Sequence, residues 1–178
     1  LNDGRELATD LPKGIFYRGI VNGDENSVAS VSVFGNDIQA MIATGGDNFF
    51  IEKNGADSEE FILFNKKDAP NLNAVDCESL EVPNGAGDQN AGDRGVGCKV
   101  VQVYFECDYQ MFLDKGSNTA NVTSYVNGLF SQIATLYANE NIAVVISQIN
   151  VWTTADPYVS LTSTSAVLNS FLSTKGPN

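Results

Sequence analysis

The chain has 178 residues, with 10 basic against 22 acidic side chains, and its formal net charge of −12 goes with a pI near 4.1. That balance repels nucleic acid and anionic membrane surfaces, and so argues against both as partners. Histidine is absent, which excludes histidine bases, triads and metal ligands within these residues, and no apolar run approaches the roughly 18 residues that a membrane-spanning helix needs.

Leu1 to Lys13 is mixed and polar and is expected to form a loose arm. It shows no basic start followed by an apolar stretch, so no secretion signal is visible in it. From Gly14 to Phe64 short runs of β-formers alternate with turn residues. Ile15 to Val21 is closed by Asn22-Gly23-Asp24, and Val28 to Phe34 by Gly35-Asn36-Asp37. Ile38 to Ile42 is closed by Gly45-Gly46-Asp47-Asn48, Phe49 to Ile51 by Asn54-Gly55, and Phe61 to Phe64 ends the series. Strands every ten or so residues with such turns predict an antiparallel meander. Its acidic turns carry oxygen ligands, but none has the spacing of an EF-hand loop.

Lys66 to Gly97 is a seam between two halves. Pro70, Pro83, the run Asn84 to Asp88 and the run Gly92 to Gly95 hold almost no apolar residue. Such a composition cannot offset its ordering entropy and predicts a flexible linker. Arg94 is the only basic residue of the glycine-rich part, where a trypsin-like processing enzyme could cut; an ordinary linker is the alternative. The short island Leu72 to Val82 holds Cys77. The expected organisation is a β-rich region over residues 1–66, a linker over 67–97 and a second unit over 98–178.

That second unit opens with a strand, helix, strand pattern from Lys99 to Trp152. Val100, Val101, Val103, Tyr104 and Phe105 form an apolar run without helical spacing, as in a parallel strand buried on both faces. From Asn118 to Ala138, Val122, Tyr125, Val126, Leu129, Ile133, Leu136 and Tyr137 recur at three- and four-residue steps, one side of a helix. Asn139 to Asn141 breaks it. Ile142, Val144, Val145, Ile146, Ile149, Val151 and Trp152 then form a second strand, parallel to the first. Cys98 and Cys107 lie near opposite ends of the first strand, roughly 30 Å apart at about 3.3 Å per residue, too far to bridge each other. A disulfide would have to use Cys77. Asp156-Pro157-Tyr158 turns the chain, Ser160 to Ser165 supplies helix caps, and Val167, Leu168, Phe171 and Leu172 give the inner side of a last helix ending near Lys175 and Gly176. Two parallel strands and two helices leave open sheet edges and half a core, so the polypeptide is expected to continue past Asn178. The fold class is α+β: an antiparallel meander followed by an incomplete α/β half-domain with a βαβ unit.

Four pieces of this second unit resemble, in order, the catalytic domains of the adamalysin (reprolysin) zinc metalloproteases of the metzincin group. Val101 to Phe112 is similar to their opening strand, with an acidic end and a "D-x-x-M/L-F/Y" turn. Val126-Asn127, Ile133, Leu136-Tyr137 and Asn141-Ile142 resemble their first helix and its exit. Ile146 to Trp152 with Asp156 resembles their second strand, and Leu168-Asn169-Ser170-Phe171 the "L-N-S-F" of their second helix. Ala134 to Asn141 with Asp156-Pro157-Tyr158 is most similar to secreted bacterial members. In the first half, Phe16-Tyr17-Arg18-Gly19, Ser27 to Ser32 and Phe50-Ile51-Glu52 resemble the closing part of a family prodomain.

The resemblance implies part of a secreted zinc metalloendopeptidase zymogen with protein or peptide substrates. The remainder of its own catalytic domain would be its partner, and the fold of the second half would be zincin-like. It implies zinc held by HExxHxxGxxH, three histidines with a Glu that polarises the attacking water. None of that motif occurs in these residues, so no catalytic residue is assigned and the 178 residues alone should be inactive. Cys77 loosely matches the prodomain cysteine that blocks the zinc, although Val75-Asp76-Cys77-Glu78-Ser79 lacks the usual wording; a disulfide with Cys98 or a free thiol are the alternatives. Gln102 stands where many members place a calcium-binding Glu, and an amide oxygen makes calcium a candidate ligand there. Asp108 and Asp156 are expected to cap or turn the backbone. The alternative function is a non-enzymatic secreted module for binding or assembly. A redox role has no CxxC to support it.

Overall fold

The arm that composition marks as loose contributes a strand. In the computed structural model, which describes residues 5–7, 13–55, 58–68 and 100–175, Arg5–Leu7 (β1) pairs antiparallel with a strand of the second half. Three residues carry no period to read. It is the backbone that pairs, and any side chains can supply that.

The meander forms as its turns predict. Ile15–Val21 (β2), Asp24–Phe34 (β3), Asp37–Thr44 (β4), Asp47–Lys53 (β5) and Phe61–Asn65 (β6) make a five-stranded antiparallel sheet in sequence order. Asn22 and Gly23 have φ of 51° and 81°, and Gly45 and Gly46 of 58° and 83°, the left-handed pair that a two-residue hairpin needs to follow the twist of its strands.

The second half supplies Val100–Cys107 (β7), Tyr109–Asp114 (α1), Thr119–Asn139 (α2), Ala143–Trp152 (β8) and Thr164–Lys175 (α3). Strands β7 and β8 are parallel, and β1 covers the far edge of β8, giving the order β1-β8-β7. Helix α1 is an addition to the sequence reading, which saw only a turn there. Asp108 starts it, its Oδ1 accepting from the Met111 amide at 2.7 Å. Asn118 caps α2 through the amides of Ala120 and Asn121, and Ser163 caps α3 through Ala166.

Three expectations about burial need correcting. Strand β7 is not buried along its length: Val100 is 52% exposed, while Cys107 is 3% exposed. The covering residues of α2 and α3 gather at its C-terminal half, beyond a register break where Val103 and Tyr104 face Ile146 and Gln148. On α2, Val122 and Val126 enter a core with Cys107, Ile149 and Val151. Leu129, Ile133, Leu136 and Tyr137 on the same side stay exposed, because the three-stranded sheet is too narrow to cover them. The helix instead buries a second side. Gly128, Ser131 and Thr135 lie against β3 and β4, with Ser30 Oγ and Ser131 Oγ 3.5 Å apart and both buried. A Cβ on Gly128 would collide with the Gln39 side chain, so glycine is what permits the close approach. Helix α2 is the filling between two sheets. Leu172, expected on the inner side of α3, is also exposed, whereas Val167, Leu168 and Phe171 are half-buried.

Candidate functional site

Successive residues of a strand point to opposite faces. In β7 this sends Phe105 and Cys107 toward α2, and Tyr104 and Glu106 toward α3. Strand β8 divides likewise, with Ile149 and Val151 on one face and Asn150 and Trp152 on the other. The α3 face therefore collects polar groups where a buried parallel pair would be apolar.

Glu106 is their hub. Its Oε1 accepts from Trp152 Nε1 at 2.8 Å and from the Tyr158 hydroxyl at 3.0 Å. Its Oε2 accepts from the Tyr104 hydroxyl at 2.6 Å and lies 3.6 Å from Lys175 Nζ, with the glutamate side chain 3% exposed. Asn150 Nδ2 donates to the Tyr104 oxygen, and Gln148 Nε2 to Asn150 Oδ1. Phe171 of α3 packs on the Tyr104 ring, centroids 6.1 Å apart. Burial, then the bond to Glu106, holds the Tyr158 phenol far above its ordinary range. Both carboxylate oxygens are taken by donors of this chain. Such a group fastens β7, β8, the 153–158 turn and α3 together and offers no oxygen to a substrate proton. The signal was present in the sequence as a period of two, Tyr104 and Glu106 beside Gln148, Asn150 and Trp152, but the apolar residues between them hid it.

A second junction lies at the ends of the same strands. Asp156, buried, accepts from the Tyr109 amide through Oδ2 and from the Tyr158 amide through Oδ1, each at 2.7 Å. Asp108 and Asp156 thus hold backbone, as expected.

The sequence-derived candidates are not brought together. Cys77 and Arg94 lie outside the described residues, as does Cys98. Gln102 is exposed in the N-terminal half of β7, on the face of Tyr104 and Glu106. Cys107 is a buried free thiol, pushed up to about 12 by burial and then by Asp108 and Glu106, which makes it the thiol left over if Cys77 pairs with Cys98. The donor set does not fit a catalytic zinc. The chain has no histidine, and among the described residues no three Cys, Asp or Glu side chains gather into a metal-holding group, so no reaction step is routed through a metal here. No helix of the described residues is long and apolar enough to cross a membrane.

Residues 99–177 match the family model described as Reprolysin (M12B) family zinc metalloprotease. The match begins one residue before β7 and runs two residues past α3, so it takes in the parallel pair, the three helices of the described residues and the Glu106 cluster. Over these residues, fewer than half of the chain, it is similar to the Reprolysin (M12B) family of zinc metalloproteases.

Proposed function

We propose that the chain is part of the precursor of a secreted zinc-dependent metalloendopeptidase. In this proposal residues 1–66 form a prodomain-like region, 67–97 a linker processed at Arg94, and 98–178 the front of the catalytic domain. The observation that supports it is the reprolysin match over residues 99–177, which coincides with a β7–α2–β8 unit of the parallel kind. Zinc would be held by residues other than these 178, since the family's histidines are not among them. Cys77 is proposed as the thiol that blocks that zinc before processing, and Gln102 as a calcium contact through its amide oxygen. Peptide chains are the proposed substrates.

The test is the native protein's intact mass, its zinc content and its peptidase activity on a denatured protein. The expected result is a mass above the 19.1 kDa of these residues, one zinc per chain and hydrolysis abolished by a chelator. A zinc-free protein of 19.1 kDa without peptidase activity would overturn the proposal.

A further inference from the structure

Where the β3–β4 turn and the end of β5 face the corner between α1 and α2, there is a cleft of about 370 Å³, within the range of small-molecule sites. Three side chains with acceptor oxygens stand on its sheet side, Asp37, Gln39 and Glu52. Ala40 pairs with Ile51 across β4 and β5, which sets Gln39 and Glu52 side by side one step further along both strands. Asp37, two residues before Gln39, shares its face. Gln39 is 4% exposed, and its Oε1 and the Oδ1 of Asp37 are buried acceptors without a hydrogen-bond partner. Buried acceptors are costly to leave unsatisfied; Gln39 Oε1 is turned to Gly128 of α2, so it is Asp37 of the cleft lining that asks for a donor.

The other charges of the cleft are cations. Lys53 closes β5, and Lys115, at the end of α1, lies with its Nζ 3.5 Å from the centroid of the Tyr125 ring. Among the described residues the ion pairs are Lys67 with Asp47 and Lys175 with Glu106, so the two carboxylates and two ammoniums here do not neutralise one another. A lone metal cation placed against Asp37 and Glu52 would face two ammoniums. A lone anion drawn to Lys53 and Lys115 would face two carboxylates. A molecule with both charges satisfies both sets.

We propose that this cleft binds a small zwitterion, a free amino acid or a dipeptide. Its ammonium donates to Asp37 and Glu52, and its carboxylate lies between Lys53 and Lys115. Isothermal titration of the 178-residue chain with glycylglycine, ethylamine, acetate and calcium chloride tests it. Glycylglycine is expected to bind at least tenfold more tightly than either half-charged analogue. Glu52→Gln and Lys115→Met, both at partly exposed positions, are each expected to weaken it fivefold or more with an unchanged circular dichroism spectrum. Acetate or calcium binding as tightly as the dipeptide would overturn the proposal, as would an affinity indifferent to both substitutions. A cleft that holds only water, with no heat from any probe up to 10 mM, would overturn it too.

Discussion

Glu106 is the last but one residue of the mostly apolar strand β7, and its position decides how the last helix is held. Truncation to alanine removes the acceptor of Trp152 Nε1 and of the Tyr104 and Tyr158 hydroxyls, each inside a cluster that water does not reach freely. Buried donors that lose an acceptor cost about 1–3 kcal/mol, and groups acting in one network do not sum fully. Glu106→Ala should therefore destabilise the 178-residue chain by about 2–4 kcal/mol in urea unfolding, followed by the fluorescence of Trp152, its sole tryptophan. A loss under about 0.5 kcal/mol, the size of an ordinary surface change, would show that the cluster does not hold α3. Cys107, next in the chain, gives a pH prediction. Its thiol rises from 9.0 to about 12 on folding, so between those values the unfolded chain gives up its proton first. Stability from this group is present below pH 9 and declines as pH rises toward 12. At pH 8 the folded thiol is almost wholly protonated and inert. In a Cys77→Ser, Cys98→Ser background, Ellman's reagent should label Cys107 only at the rate of unfolding; prompt labelling of the folded protein would contradict its placement.

At the scale of the element, α2 inverts what its sequence suggests. A helix read by period puts Leu129 inside and Ser131 outside, whereas Leu129 is 38% exposed and Ser131 is 6% exposed against Ser30 of β3. Ser131→Leu forces three extra carbons between the helix and the meander, an overpacking that costs about 1–3 kcal/mol. Leu129→Ser removes a side chain already near water and should cost less than that in the same chain, read as midpoints of thermal unfolding. The opposite order of the two losses would mean that the helix lies on its apolar stripe alone. The elements themselves were legible for physical reasons. Asn22-Gly23 and Gly45-Gly46 mark hairpins because few other residues take a positive φ, and the change of period at Asn118 marks a helix. Burial was not legible, because it depends on which neighbours arrive. Gly128 and Gln39, 89 positions apart, are unremarkable until a sheet lies on a helix. Strand β1 needs only backbone from its partner, and Glu106 joins residues from four elements. The cleft at Asp37 and Gln39 was invisible for the same reason, since neither residue stands near Lys115 in the chain.

Across the whole molecule, one helix has two dependants. The β7–β8 pair gets its apolar cover from Val122 and Val126, and the meander gets cover for Ser30 and Gln39 from the opposite side of the same helix. Taking the meander away would expose Gly128, Ser131 and Thr135 of a helix whose other side is only partly covered. An isolated α-helix gains most of its stability from packing, so the loss would propagate to β7 and β8. The meander in turn carries exposed apolar side chains on its far face, Ile15, Tyr17 and Leu63 among them, and has no second cover among the described elements. Both layers should therefore unfold together although a seam of polar composition separates them in the sequence. Hydrogen exchange along a urea series should show the amides of β3 and β4 losing protection at the same denaturant concentration as those of β7 and β8, with the Trp152 fluorescence change at that midpoint. Loss of protection in the meander alone, well before the tryptophan signal moves, would mean that the Ser30–Ser131 contact is a resting place for two independent bodies. The 178 residues would then have to be treated as two folding units and not as one.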